Sequence, residues 1–326
     1  MNRCILSLTK LMQPTQKAVR LISNVWQIFE MIAKCHLCNK NRELRESHII
    51  PSFVYKWLKA SSGTGHIRFG GAPNLRSQDG YKAYLLCDEC EGLFNSWETE
   101  FANSIFHPLN KGIANNFKYG PWMLKFAVSV SWRVLTFFIK EIDLSHFPPT
   151  LQEKAKMALS YWKQFLLGET PHPSNFEQHM LPFDRIERFT RPEMPPNINR
   201  YILRTVDIDT VHSGDKAAYV YSKMGRIVLV GFIEMPHPRE WKGSKLHVKE
   251  GVLGSKHYIL PSGFGDYFIN KAKRLITIQR SMSENQRKNI DETYRKDLDR
   301  AANSETMKAM DYDVILFGDN AFTNEE

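Results

Sequence analysis

Four of the five cysteines fall into two pairs with the same spacing, Cys35 with Cys38 and Cys87 with Cys90. Two intervening residues allow a tight turn to point both thiolates at one ion, and two such pairs supply the ligands of a tetrahedral structural zinc site. Buried free thiols are the alternative, but they would leave the repeated spacing unexplained. The spacing therefore predicts a Zn²⁺ ion held by all four cysteines.

A histidine suited to proton transfer lies between the two cysteine pairs. His48 is near the end of an expected strand, Glu43 to Ile50, which Pro51 stops because proline cannot donate to a sheet. An imidazole with a pKa of about 6.5 can deprotonate a water molecule near neutral pH. A core histidine whose ring bonds a backbone carbonyl is the alternative. Glu46 shares the strand face of His48, because side chains alternate along a strand.

The segments around these residues follow a definite order. Pro73-Asn74-Leu75 is expected in a loop, and Tyr84-Leu85-Leu86 forms a short apolar strand that leads into the second cysteine pair. Apolar residues then recur at helical spacing, at Leu93, Phe94, Trp97 and Phe101. We call the tight turn at each cysteine pair a cysteine knuckle. The predicted order is cysteine knuckle, strand, loop, strand, cysteine knuckle and helix.

This combination of motifs resembles the HNH endonucleases with a ββα-metal, treble-clef core. The resemblance covers about residues 34–101. It implies that His48 is the general base, that Asn74 braces the loop, and that Glu91, directly after the second cysteine pair, helps to hold a divalent cation such as Mg²⁺. It also implies hydrolysis of DNA phosphodiester bonds, in a bacterial or phage-related defence or restriction setting.

The sequence departs from the family pattern in two places. Ser47 precedes the histidine where an acidic or imidazole ligand is frequent, and Glu46 is then the candidate substitute ligand. Glu91 stands where Asn or His is common, although a carboxylate is a competent ligand for a hard cation. The alternatives are a turn residue for Asn74, a first-turn acid for Glu91 and a solvated charge for Glu46. The module as a whole has a competing interpretation, a non-catalytic zinc fold that binds nucleic acid or a protein.

Composition restricts the class of protein. The 326 residues are 42% hydrophobic, which excludes wholesale disorder, and the net charge of +9 favours a polyanionic partner, DNA or alternatively RNA. The apolar stretch Trp122 to Ile139 is interrupted by Lys125 and Arg133, so no membrane span is expected. Reduced, metal-bound thiols indicate the cytoplasm. The sequence does not decide whether the protein forms a homo-oligomer.

In the segment between the cysteine pairs, Arg68, Arg76 and Lys82 are candidates for phosphate contacts, with a solvated loop as the alternative.

The predicted architecture is α+β, with a zinc module followed by a mixed domain of helices and a small antiparallel sheet. We expect a basic helical extension at 1–30, for which a transit peptide is the alternative, then the nuclease module at 31–118 and a mixed domain of unrecognised type at 119–326. Its helical part is 119–170, and its sheet and C-terminal helix are 198–326. Within the mixed domain we expect helices at Trp122–Ile142 and Leu151–Leu167, followed by an irregular connection at Pro171–Pro196. Strands are expected within 200–235, starting at Tyr201. A charged helical region is expected at Tyr267–Met310 and a last strand at Val314–Phe317.

Overall fold

The computed structural model describes residues 32–191, 193–235, 238–254 and 258–322. Its strands are β1 (Ile32–Lys34), β2 (Asn41–His48), β3 (Ile67–Phe69), β4 (Ala72–Ser77), β5 (Lys82–Cys87), β6 (Asn116–Tyr119), β7 (Gln178–Pro182), β8 (Val206–Ser213), β9 (Ala217–Met224), β10 (Ile227–Glu234) and β11 (Gly251–Gly254). Its α-helices are α1 (Ser52–Ala60), α2 (Asp88–Phe101), α3 (His107–Asn110), α4 (Trp122–Phe137), α5 (Pro149–Leu167), α6 (Ile198–Arg204), α7 (Ser262–Arg280), α8 (Glu284–Lys296), α9 (Leu298–Asn303) and α10 (Glu305–Phe317). The predicted α+β class is confirmed.

The N-terminal sheet carries the residues with chemical potential. Its strands are ordered β1-β2-β5 and are antiparallel throughout. The turn between β1 and β2 forms the first cysteine knuckle, and α2 follows β5 directly. In the register of β2 and β5, Leu44 lies opposite Cys87 and His48 lies opposite Lys82, with a bulge between Arg45 and Glu46. The end of β2 therefore lies beside the start of β5, and the cysteines lie at the opposite end of the pair.

A second sheet, ordered β7-β10-β9-β8, separates two hydrophobic clusters. Side chains alternate between the faces of a strand, and β10 shows this clearly. Ile227, Leu229 and Ile233 belong to the larger cluster, which includes α4 and α5. Val228 and Val230, from the other face, pack with α6 and α7. The central strand β10 is buried on both faces and is apolar along most of its length, whereas β8 at the edge is only partly buried and alternates with polar residues.

Helix α4 is the centre of the larger cluster. Phe126 of α4 stacks on Phe101 of α2 with ring centroids 3.9 Å apart, and Trp132 meets Phe94 edge-on. This cluster contains residues from both predicted domains. The division of the chain at 31–118 and 119–326 stays a prediction. By length and composition, Trp122–Ile142 is apolar enough to cross a membrane, and 78% of its most apolar window is buried inside the protein.

Close contact between α4 and the second sheet depends on one glycine. A Cβ at Gly231 in β10 would lie 2.5 Å from Ser131 Oγ, so any other residue would force the helix and the sheet apart. Ser131 in turn donates to Gln178 Oε1 of β7 at 2.7 Å. This polar contact in the core holds α4 in one position across two strands.

Several predictions for the C-terminal region are wrong. Residues 198–204 form helix α6, and the strand predicted to start at Tyr201 starts at Val206. Ile198, Tyr201 and Ile202 have helical spacing and are buried against the sheet, which decides between helix and strand for a short apolar run. The connection predicted at Pro171–Pro196 contains β7, which is an edge strand of the sheet.

Other differences concern the ends of elements. Val314–Phe317, predicted as a strand, is the last turn of α10, whose N-cap Ser304 accepts a hydrogen bond from the Met307 N–H. The charged region Tyr267–Met310 is divided among α7, α8, α9 and α10, and Asn74 lies in strand β4 of a β3–β4 hairpin and not in a loop. The two long helices α4 and α5 are where they were predicted. The predicted extension at 1–30 lies outside the described residues.

Candidate metal centre and active site

The four cysteines meet at one point. Their sulfur atoms all lie within 4.8 Å of one another, and Cys38 Sγ is 3.8 Å from Cys87 Sγ. Zn–S bonds of about 2.3 Å in a tetrahedron place sulfur atoms about 3.8 Å apart, so this set fits a zinc ion. Cys35, Cys87 and Cys90 are buried. The cluster can hold a metal ion, and the fit to structural zinc is good because four thiolates leave no open coordination position.

The backbone around the cluster favours the thiolate form of Cys35, whereas burial raises the thiol pKa values of Cys87 and Cys90. The Cys87 N–H donates to Cys35 Sγ at 3.4 Å. Burial alone would raise the pKa of the Cys35 thiol, but backbone N–H groups of Cys38, Cys87 and Leu37 outweigh it and the pKa lies below its usual value. A metal ion binds the thiolate form, so these N–H groups help to prepare the site. The cluster joins the first knuckle to the start of α2.

His48 lies at the end of β2 and is held by a carboxylate. Its Nε2 is 2.8 Å from Asp79 Oδ1. Asp79 itself lies in a tight turn, where the Gly80 N–H donates to Oδ1 at 2.9 Å and Ser77 Oγ donates to the Asp79 carbonyl at 2.8 Å. An Nε2–H that donates to Asp79 leaves the lone pair on Nδ1, which accepts no hydrogen bond from the described residues. The pair thus selects one tautomer of the ring.

Lys82 neutralises this carboxylate. Its Nζ is 2.8 Å from Asp79 Oδ2 and 3.3 Å from Glu46 Oε2. Partial burial raises the pKa of Asp79, but hydrogen bonds from Lys82, His48 and the Gly80 N–H lower it to about 2. Asp79 is therefore ionised near neutral pH. Glu46 shares the face of His48, as alternation predicted, but its exposed carboxylate binds Lys82.

A cavity of about 320 Å³ opens beside His48. Its wall is one face of α2, where Glu91, Asn95 and Glu98 follow each other at helical spacing. Glu91 Oε1 is buried there without a hydrogen-bond partner among the described residues. A buried carboxylate oxygen without a donor is costly unless something binds to it. The remaining lining residues are His48, Ser52, Asp88, Gly92 and Arg133.

Arg133 reaches this cavity from helix α4. Its side chain is only 2% exposed; Nη2 lies 2.6 Å from Glu98 Oε1, and Nη1 donates to the His48 carbonyl at 2.9 Å. Buried charges are found in proteins when they are paired, and Arg133 is paired twice over, with a carboxylate and a carbonyl. A residue from the predicted second domain thus completes the site of the first.

The structure brings together some predicted residues and not others. His48 and Glu91 line one cavity, but Glu46 and Asn74 are not among its lining residues. Asn74 Oδ1 accepts from the Ser283 N–H at the start of α8. The resemblance implied that Asn74 braces the loop of the module, whereas in the structure it holds the start of a C-terminal helix.

Sequence reasoning missed Asp79, Asn95, Glu98 and Arg133. Asn95 and Glu98 lie four and seven residues after Glu91, and that helical spacing was a usable signal. Arg133 was noted only as an interruption of an apolar stretch, although a lone arginine in a buried helix demands a partner. Nothing in the sequence near Asp79 indicated that it pairs with His48.

The four cysteines are the only group of three or more His, Cys, Asp or Glu side chains placed close enough for a metal ion within the described parts of the chain. A cation in the cavity would thus depend on few protein ligands. Comparisons with protein-family models, with curated proteins and with solved structures found no match. The assignment of a function depends on the site itself.

Proposed function

We propose that this chain is a metal-dependent, HNH-type endonuclease that hydrolyses phosphodiester bonds of DNA. The observation that supports it most is the placement of His48, hydrogen-bonded to Asp79, beside a cavity that contains the unpartnered Glu91 Oε1. A base oriented by a carboxylate and a free carboxylate oxygen are the two protein groups that this reaction needs.

His48, Asp79 and Arg133 have separate roles in the proposed reaction. His48 takes a proton from the attacking water at Nδ1, because Asp79 holds the ring and keeps the proton on Nε2. Ionised Asp79 also stabilises the imidazolium that forms. Arg133 holds the His48 carbonyl and so limits movement of the strand end. These contacts restrict the base to one position before substrate binds.

Glu91 is the candidate ligand for the divalent cation, with the Asn95 amide oxygen beside it on the same helix face. Mg²⁺ is typically held by one or two carboxylates together with waters and substrate phosphates, so a single free carboxylate fits this ion. When bound, such a cation neutralises charge on the scissile phosphate and the leaving oxygen. Glu98 is less available because Arg133 pairs with it.

Zinc and catalysis are separate in this proposal. The cysteine cluster holds the knuckle to α2, and α2 carries Glu91 one residue after Cys90. The ion therefore positions Glu91 without touching substrate. The bacterial or phage-related defence setting and the cytoplasmic location stay predictions.

The test is incubation of the purified chain with plasmid DNA in Mg²⁺, Mn²⁺ or Ni²⁺. We expect cutting by the wild type, with loss of about 10²-fold or more in His48→Ala, the usual contribution of a positioned base. Glu91→Gln is expected to lose cutting and to need more cation. Glu89→Gln is the matched control, because Glu89 lies on the same helix turn but does not line the cavity.

Zinc content and thermal melting of each variant show whether it is folded. Equal cutting by the wild type and a folded His48→Ala would contradict the proposal. Absence of cutting with every cation, by a chain with its zinc bound, would support the non-catalytic zinc module in its place. Parallel incubation with RNA separates the two nucleic acids.

A further inference from the structure

His66 directly precedes β3, and four positive side chains act on its charge: Lys59, Arg68, Arg76 and Arg300. The pairing of Ile67 with Ser77 holds Arg68 and Arg76 in one hairpin, and Arg300 lies against Gly65. We call this group the hairpin cation surface. The pKa of the His66 imidazole lies below its usual value, first because of partial burial and then because of these charges. His66 is therefore mainly neutral at neutral pH, and the positive charge on the surface comes from the other four.

The hairpin cation surface is built from two distant parts of the chain. Arg300, in α9, donates from Nε to the Ser62 carbonyl at 3.2 Å and from Nη2 to the Lys59 carbonyl at 3.4 Å. The Glu305 N–H, at the start of α10, donates to the Ser61 carbonyl at 2.9 Å. These bonds fix a C-terminal arginine beside cations of the zinc module.

None of the four cations forms an ion pair with a carboxylate in the described ranges of the chain, although many other basic residues do. Arg68 is bonded to an uncharged group, with its Nη2 2.6 Å from the Gln286 side-chain oxygen when that amide is oriented to suit its neighbours. Clustered like charges repel each other, and a bound polyanion would relieve that repulsion.

The surface borders the candidate active site. Lys59 Nζ donates to the Gln78 carbonyl, and Gln78 Nε2 lies 2.7 Å from His66 Nδ1. The next residue, Asp79, binds His48. One residue, Gln78, therefore separates the cation surface from the pair that holds the base, so the surface is next to the candidate active site.

We propose that the hairpin cation surface binds the sugar–phosphate backbone of duplex DNA next to the cleavage site. This inference rests on the proposed function and adds how the substrate is held. Contacts to phosphates set the position of a duplex without reading its sequence, so the surface contributes affinity and not base preference. It also gives the C-terminal helices a part in substrate binding.

Arg76 offers the sharpest test, because it is exposed and forms no ion pair with a described residue. Arg76→Gln is made in a full-length His48→Ala chain, which cannot cut by the proposed mechanism, and affinity for a labelled duplex is measured by fluorescence anisotropy over a range of salt. We expect about five- to tenfold weaker binding at ~0.1 M salt and a salt slope shallower by about one. His48→Gln replaces His48→Ala if that variant is unfolded.

Lys216→Gln is the matched control, since Lys216 is exposed in the turn between β8 and β9 and forms no ion pair within the described part of the chain. Equal affinity and salt slope in Arg76→Gln and Lys216→Gln would contradict a role of the hairpin cation surface in DNA binding. Tighter binding of single-stranded RNA than of the duplex would contradict duplex DNA as the ligand of this surface. Binding is measured without cutting, so a chain that binds but never cuts contradicts only the nuclease.

In NMR titrations, duplex addition is expected to raise the pKa of His66, and an unchanged pKa would count against contact there.

Discussion

Arg133 Nη1 donates to the main-chain carbonyl of His48 at 2.9 Å, although 85 residues separate the two in sequence. The same guanidinium is paired with Glu98 of α2. One buried side chain of α4 therefore fixes the end of β2 relative to α2, the two elements that carry the candidate base and the candidate cation ligand. This relationship makes the core helix part of the site.

Loss of Arg133 is expected to be costly. Arg133→Met leaves Glu98, whose side chain is 13% exposed, without its partner, and removal of one member of a buried pair costs about 3–5 kcal/mol. The free energy of unfolding in urea measures this. The double variant Arg133→Met with Glu98→Gln should recover about half of the loss, since no unpaired charge remains. A double variant as unstable as the single one would contradict this explanation.

The Asp79 carboxylate makes stability depend on pH in a definite window. Its folded pKa is about 2, below the value of about 3.9 in an unfolded chain, so ionised Asp79 favours the folded state. That contribution is complete above pH ~4 and is lost as the pH falls towards 2. We expect the stability difference between wild type and Asp79→Asn to shrink over this window in urea titrations. A difference that is constant from pH 5 to about 2 would show that Asp79 is not paired in solution.

The turn that carries Asp79 tolerates no side chain at Gly80. A Cβ there would lie 1.9 Å from Tyr55 Cζ, so Gly80→Ala must displace a buried ring or the turn. We expect a loss of about 1–3 kcal/mol, as for other overpacked sites, together with reduced cutting because Asp79 shifts away from His48. Gly71→Ala, where a Cβ meets nothing within 4 Å, is the control and should stay close to wild type. Equal melting temperatures for the two variants would contradict this prediction.

Metal analysis tests the cysteine cluster directly. The purified chain is expected to contain about one Zn²⁺, and Cys90→Ser should lose most of it and melt at lower temperature, because a structural zinc site contributes folding energy. Cys4→Ser is the matched control, since Cys4 belongs to neither pair. Full zinc content in Cys90→Ser would exclude a four-thiolate site.

Local spacing was enough to predict the four-cysteine cluster and the helix that carries Glu91. It also predicted a strand through His48, expected at Glu43 to Ile50 and observed at Asn41–His48. In each case the signal lies within a few residues, because two residues between cysteines and the periodicity of a helix are short-range properties. The same holds for α4 and α5 and for the strands β9 and β10, whose alternating side chains form the two buried faces. The α+β class follows from these elements alone.

The tertiary structure decided what stands beside His48. Asp79 reaches it through a turn, and Arg133 reaches it from a helix that the sequence assigned to another domain. Asn74, predicted to brace the site, instead binds the start of α8. Pairings between residues far apart in sequence depend on how whole elements pack, and neither spacing nor composition records that packing. The residues that could do chemistry were therefore visible in the sequence, and their partners were not.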